Sequence, residues 1–336
     1  MILVTGGTGM LGAHLLVQLV NSGEAVRAIY RSEKTLQKTR KIFEYYGGEA
    51  SLSFLKIEWV RADVTDIPAL ETAFEGVVKV YHIAALVSFD ENKAKQMRAV
   101  NIEGTANIVN LSVAFGVKKL CFVSSIASIA KSVQKPLIDE EDEFNVITNN
   151  YSYAITKYGA EMEVWRGVEE GLDAVIVNPG VILGPGFWKE NSGMLFTMIN
   201  NGSPFYTEGL TGFVGVDDVV TIMIKGMDSR VKNERFILVS ENISFKEILC
   251  LIARFLNKKN PRIKVTSFIA EIGWRMSWLK SIFTGGANTF SKHTAKSANN
   301  KSYYNSGKVQ KTFDFEFQKM DKVIEKISQL YLNDVS

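Results

Sequence analysis

The stretch Val4-Thr5-Gly6-Gly7-Thr8-Gly9-Met10-Leu11-Gly12 constrains this chain more than any other. Ile2, Leu3 and Val4 read as a short buried strand, Gly6, Gly9 and Gly12 follow at a spacing of three, and Ala13 to Val20 reads as a helix. Strand, glycine turn and helix in that order make a phosphate cradle. The first glycine permits the tight turn, the second lets backbone approach a pyrophosphate, and the third lets the helix pack close to the strand. The helix N-terminus adds unpaired N–H groups and the positive end of its dipole.

The rest of the chain alternates in the same way. Strands are expected at Ala25–Tyr30, Ile57–Arg61, Val77–Ala85, Lys119–Ser125 and Ala174–Pro179, with helices over 33–46, 68–74, 93–115 and 152–169 between them. Such alternation indicates parallel βαβ units in a doubly wound sheet, with ligands outside the carboxyl ends of the strands. The glycine turn, Arg31, Asp63, Ala84-Ala85, Ser124-Ser125 and Asn178-Pro179-Gly180 all fall at that edge. A chain of 336 residues, 46% hydrophobic and 22% charged, is ordinary for a soluble globular protein. A net charge of +3 without a long Lys or Arg run gives no reason to expect nucleic acid. Cys121 and Cys250 lie in apolar segments, which points to buried thiols in a reducing compartment. With no signal-peptide pattern and no long apolar span, a cytoplasmic protein without a membrane partner is the expectation.

In Tyr151-Ser152-Tyr153-Ala154-Ile155-Thr156-Lys157, Tyr153 and Lys157 stand four apart and share a helix face. A phenol titrates near 10, and a neighbouring ammonium favours its anion. Tyr153 can then deliver a proton to a carbonyl oxygen or take one from an alcohol, while Ser125 holds the same oxygen. His82 reads as a structural histidine, Asn101 as a tie between its helix and nearby backbone, and Asp217-Asp218 as a helix cap and packing contact rather than a metal pair. No metal is expected. The aromatic stretch Phe268–Leu279 reads as core or substrate-lid packing.

These motifs resemble the extended short-chain dehydrogenases/reductases, the superfamily of NAD(P)-dependent sugar-nucleotide epimerases and dehydratases, dihydroflavonol reductases and 3β-hydroxysteroid dehydrogenases. The resemblance rests on Thr5-Gly6-Gly7-Thr8-Gly9-Met10-Leu11-Gly12, Asp63-Val64, His82-Ile83-Ala84-Ala85, Asn101-Ile102-Glu103-Gly104-Thr105, Ser124-Ser125, Tyr153-Ala154-Ile155-Thr156-Lys157, Asn178-Pro179-Gly180-Val181 and Gly212 to Asp218. It is strong to about residue 240 and weak beyond, with Gly215 standing where many members carry His. It implies a Rossmann-type sheet with a smaller C-terminal substrate lobe: residues 1–178 and 213–240 for the dinucleotide, residues 179–212 and 241–336 over the substrate.

The resemblance further implies catalysis by Ser125, Tyr153 and Lys157, with Lys157 also on the nicotinamide ribose. It implies cofactor contacts at Thr5, Gly6, Gly9, Met10, Leu11, Gly12, Asp63, Val64, Ala84, Ala85, Ser124, Pro179 and Val181, and a homodimer through the helices at 93–115 and 152–169. The second strand ends Tyr30-Arg31-Ser32, with Tyr30 where NAD-preferring members carry Asp. Arg31 offers a planar fork to a 2′-phosphate, so NADP is expected, with NAD the alternative. A carbonyl reductase acting on a small molecule is the leading reading. A nucleotide-sugar epimerase or dehydratase, and an idle dinucleotide-binding sensor or scaffold, are the others. Segment 187–212 holds Lys189 alone for a diphosphate, which favours the reductase, whereas Arg262, Lys264 and Arg275 are the cations that would restore the epimerase.

Overall fold

The structure is a computed structural model that describes residues 1–48, 50–129, 136–147, 150–265 and 300–336. Six of its strands are β1 (Ile2–Thr5), β2 (Val26–Tyr30), β3 (Glu58–Arg61), β4 (Lys79–His82), β5 (Lys119–Val123) and β6 (Ala174–Pro179). With β10 (Glu234–Leu238) they form a seven-stranded parallel sheet in the order β10-β6-β5-β4-β1-β2-β3. The continuous apolar runs of β1 and β6 are buried throughout, as strands covered on both faces must be. From β1 the strands are added outward through β2 to β3 on one side and from β4 through β5 to β6 on the other, so the carboxyl ends of β1 and β4 are the switch point.

One face of the sheet is covered by α1 (Met10–Asn21), α2 (Glu33–Tyr45) and α8 (Val216–Asp228), around Leu15, Leu16, Phe43 and Ile222. The other carries α3 (Ile67–Phe74), α5 (Gly104–Ala114) and α6 (Ser152–Glu169), around Leu70, Phe74, Ile108 and Val164. A third core gathers β9 (Leu210–Gly215), α7 (Met194–Asn200), α9 (Phe245–Phe255) and α11 (Met320–Val335) around Phe196, Phe213, Ile248 and Ile324. There β9 lies between β7 (Val181–Leu183) and β11 (Glu241–Ser244), and β8 (Phe205–Tyr206) pairs with β12 (Ile263–Lys264). The short helix α10 (Gly307–Phe313) returns to the large sheet and inserts Val309.

Four details depart from the sequence reading. Helix α1 begins at Met10, inside the glycine motif. Strand β4 stops at His82, because the Ile83 and Ala84 amides turn to the Thr5 hydroxyl, each at 3.2 Å. The helix expected over 93–115 is interrupted: α4 (Ala94–Arg98) passes through a π turn at Ala99–Glu103 before α5. Asp217 and Asp218 do not cap α8, whose N-cap is Gly215. They tether the C-terminal segment instead: Asp218 accepts from the Gln318 amide and side chain, and Asp217 from Lys326 Nζ at 2.6 Å. Cys121 is buried as expected, whereas Cys250 is half-buried. The aromatic stretch 268–279, Arg275 included, lies outside the described residues.

Candidate active site

Each glycine of the turn answers to a different neighbour. Gly6 has φ of +72° and sits so close to the exit of β4 that a Cβ would meet the Ala84 nitrogen at 2.6 Å. A Cβ on Gly12 would meet the Gly6 oxygen at 2.2 Å. The fold alone therefore excludes side chains at both positions. At Gly9 the one atom that a Cβ would meet within 4 Å among the described residues, its chain neighbours and its own helix backbone aside, is the Gly6 oxygen, at 3.4 Å. A side chain there would project into space that the described residues leave open. Gly9 is the N-cap of α1, makes no side-chain cap, and is followed by no acidic residue in the first turn. The helix dipole is uncompensated and its leading N–H groups face that space, which suits the pyrophosphate of a dinucleotide. Met10 and Leu11 supply two of those amides, and the Leu11 side chain is buried.

Behind the turn runs a buried chain of hydrogen bonds. Thr105 Oγ1 donates to the Asn101 carbonyl at 2.6 Å, so it accepts from His82 Nε2 at 2.9 Å. The other ring nitrogen, Nδ1, then accepts from Thr5 Oγ1 at 2.7 Å. Burial, with Lys157 beside it, lowers the His82 pKa to about 3, and the ring is neutral. The Asn101 side chain, held in the π turn, clasps the Leu86 backbone at 2.7 and 3.0 Å and reaches Thr156 Oγ1 at 3.1 Å. It thereby joins the loop after β4 to the helix that carries Tyr153 and Lys157.

Those two residues rise from successive turns of α6 beside the end of β5. Ser125 caps a short 3₁₀ turn by accepting from the Ala127 amide at 3.1 Å, and its hydroxyl lies near the Tyr153 phenol. Burial pushes the phenol above its ordinary value, and the neighbouring Ser125 hydroxyl works against that rise. Lys157 is 2% exposed, donates to the Val123 carbonyl at 2.7 Å and lies 4.7 Å over the Phe122 ring. Burial lowers its ammonium to about 8, although Glu161 on the next turn raises it. A hydroxyl, a phenol and a buried cation thus converge at the exit of β5, an arrangement able to hold and protonate a carbonyl oxygen.

At the other end of the exits Arg31 NH1 lies 3.6 Å from Asp63. Burial works against the Asp63 charge, but two hydrogen bonds from Thr65 and the nearby Arg31 hold its carboxyl below the ordinary range. From β2 to β5 a ligand crosses three strand intervals, about 14 Å, passing the glycine turn at β1. Pro179 closes β6 and Val181 opens β7, while Ala84 and the exposed Ala85 edge the β4 exit. Other side chains expected to touch cofactor face the protein. Thr5 is committed to His82, Val64 packs where a Cβ on Gly104 would meet it at 2.6 Å, and Ser124 donates to Glu161 at 2.6 Å. Only their backbone is left for a ligand.

Sequence reasoning missed Glu161, Asn178 and Arg235 as partners of this site. Glu161 continues the spacing of Tyr153 and Lys157 by another four residues, a charged position on an inward helix face, and that was its signal. Arg235 is the second residue of β10 and carried none.

The NAD-dependent epimerase/dehydratase family model matches residues 2–238. Among curated relatives, the sterol demethylase protein B of Methylococcus capsulatus is 28% identical over 265 residues, 78% of this chain and 76% of that protein. A putative dihydroflavonol 4-reductase of Synechocystis is likewise 28% identical over 265 residues, covering 77% and 73%. Among solved structures, the UDP-glucose 4-epimerase of Thermotoga maritima with UDP-glucose superposes with a TM-score of 0.79 at 18% identity, over 100% of this chain and 99% of that one. A Bordetella bronchiseptica enzyme solved with NAD and UDP gives 0.75 at 17% identity, over 99% and 94%. With the glycine cradle, the seven-stranded sheet and a family match across most of its length, this chain belongs to the NAD-dependent epimerase/dehydratase family, as an NAD(P)-dependent enzyme of the extended short-chain dehydrogenase/reductase type.

Proposed function

We propose that the protein is an NADPH-dependent carbonyl reductase. The observation that carries this reading is the convergence of Ser125, Tyr153 and buried Lys157 beside the β5 exit, in line with the glycine cradle. A bound nicotinamide supplies or accepts hydride. Ser125 orients the substrate oxygen, Tyr153 moves the proton to or from it, and the Lys157 ammonium stabilises the phenolate that results. The pyrophosphate rests on the N–H groups of Met10, Leu11 and Gly12, with Gly6 and Gly9 giving it room. Thr5, Val64, Ala84, Ala85 and Ser124 contribute backbone, and Pro179 and Val181 wall the nicotinamide end.

Phe89 favours a reductase over a nucleotide-sugar enzyme. Its half-exposed ring lies 6.3 Å from Tyr151 and 6.3 Å from Tyr153, so the approach to the phenol is aromatic. Lys264, one of the cations offered for a diphosphate, is paired with Glu208. Several relatives carry reductase names, anthocyanidin reductase among them. The epimerase or dehydratase reading draws on the family itself and on UDP-sugar complexes of structural neighbours, the latter supporting the fold alone.

In this reading residues 1–178 and 213–240 serve the cofactor, and residues 179–212 and 241–336 cover a small-molecule substrate. Ile155 and Met162, exposed on one face of α6, favour a homodimer through that face and α5. Light scattering at micromolar concentration is expected to give twice the chain mass, and the monomer mass refutes the dimer. The activity itself is tested by offering ketones, aldehydes and sugar nucleotides with each reduced cofactor. Consumption of NADPH with a ketone or aldehyde supports the reductase, and turnover of a sugar nucleotide alone replaces it.

A further inference from the structure

We propose that Glu161 is the positioning residue of this site: one buried carboxylate that holds the Ser125 turn, the end of β6 and the Lys157 ammonium in a single arrangement. The proposal rests on the reading of Ser125, Tyr153 and Lys157 as the reacting group.

Glu161 is wholly buried on α6, one turn beyond Lys157 and two beyond Tyr153. Its Oε2 accepts from Ser124 Oγ at 2.6 Å and from Asn178 Nδ2 at 2.9 Å. Ser128 Oγ lies 2.8 Å from the same oxygen and 2.7 Å from the Ser125 carbonyl, its one hydrogen shared between two acceptors. Its Oε1 accepts from Arg235 NH1 at 3.1 Å. The residues tied to it therefore bracket the chemistry. Ser124 stands between Val123, whose carbonyl receives the Lys157 ammonium, and Ser125. Asn178, which also donates to the Ser125 carbonyl at 3.2 Å, precedes Pro179. Arg235 is itself fixed by the Glu140 and Asp142 carbonyls, so the whole cluster is anchored on β10.

A buried ion pair is an expensive and unreliable source of stability, since desolvation cancels most of the attraction. Well-packed apolar side chains would hold α6 against β5 at less cost. What they would not supply is a fixed negative charge one turn from a buried lysine. The charged and titratable groups around Lys157 are few. Tyr153 and Glu161 share its helix, and His82, neutral, faces it from β4. Its β5 neighbours, Phe122 and Val123, carry no charge. Glu161 is the anion of this set and favours the ammonium, whereas Arg235 moderates it from behind.

The two partners should therefore act on Lys157 with opposite sign, which loosened packing would not produce. The test is a titration of Lys157 by the NMR signal of its ¹³Cε in lysine-labelled protein, assigned by its loss in Lys157→Met. The full chain is used in wild type, Glu161→Gln, Glu161→Asp and Arg235→Met. Glu161→Gln is expected to lower the Lys157 midpoint by about one unit, Glu161→Asp to restore most of it, and Arg235→Met to raise it. Where a carbonyl substrate is turned over, the alkaline limb of kcat should move with the midpoint. Should Glu161→Gln fail to fold, the upward shift in Arg235→Met decides alone. A Lys157 midpoint that stays put in the folded variants, or moves the same way in all of them, overturns the proposal. Because the titration needs no turnover, it stands or falls apart from the reductase reading, which the substrate panel judges.

Discussion

In the proposed reading, Arg31 is the residue on which cofactor choice turns. It has no carboxylate beside it at the end of β2, and its partner Asp63 comes from the neighbouring strand exit. Both side chains are substantially exposed, so the pair is weak and a 2′-phosphate competes well for the guanidinium. Wild type is expected to bind NADPH about tenfold or more tightly than NADH, a difference of roughly 1.4 kcal/mol. Arg31→Ala should lose that preference and leave NADH affinity nearly unchanged. Fluorescence titration of both reduced cofactors reads this directly, and equal binding by wild type would remove the case for NADP. Tyr153 and Lys157 show how far single residues were legible. Their spacing placed them on one helix face, but the burial of Lys157 and the nearness of Ser125 to Tyr153 depend on how α6 meets β5. Glu161 escaped notice because a glutamate on a helix reads as solvated until its face is known to point inward.

The element that dominates the molecule is the turn from β1 to α1, and its glycines separate fold from ligand. Gly12→Ala forces a Cβ against the Gly6 oxygen at 2.2 Å and should destabilise the protein by about 2–3 kcal/mol. Gly9→Ala meets no such clash and is expected to cost about 1 kcal/mol or less. It should nonetheless weaken cofactor binding by about tenfold or more, because the added methyl occupies the space a pyrophosphate needs. Urea unfolding and cofactor titration of the two variants separate these effects. A Gly9→Ala protein with full cofactor affinity would show that the open space is not the phosphate site. The alternation of elements was readable because each strand is a short apolar run and each helix has its own period. The π turn in the helix over 93–115 was not. It depends on the Asn101 side chain finding the Leu86 backbone, a contact fifteen residues back along the chain that no local pattern encodes.

At the scale of the whole molecule, buried titratable groups set the acid response. Burial lowers His14 to about 4 and His82 to about 3, so the unfolded chain takes up protons there that the folded one refuses below about pH 6.5. Burial raises Asp218 to about 6, and this group works the other way: the folded chain keeps a proton that the unfolded one releases above about pH 4. Near pH 5 the unfolded chain thus binds about one proton more from these three groups, and stability should rise by roughly 1.4 kcal/mol per pH unit. Asp218→Asn removes the opposing contribution and should about double that slope in urea unfolding between pH 4.5 and 5.5. An unchanged slope would mean that the Asp218 carboxyl is ionised beneath Gln318. The central claim is that the site reduces carbonyls through Tyr153. It is tested most directly by following nicotinamide absorbance in the ketone and aldehyde panel with wild type and Tyr153→Phe side by side. The account predicts NADPH oxidation by wild type, a loss of at least ~10²-fold in the variant, and nearly equal NADPH binding by the two. Comparable turnover by both proteins, or hydride transfer only within a sugar nucleotide, would contradict it.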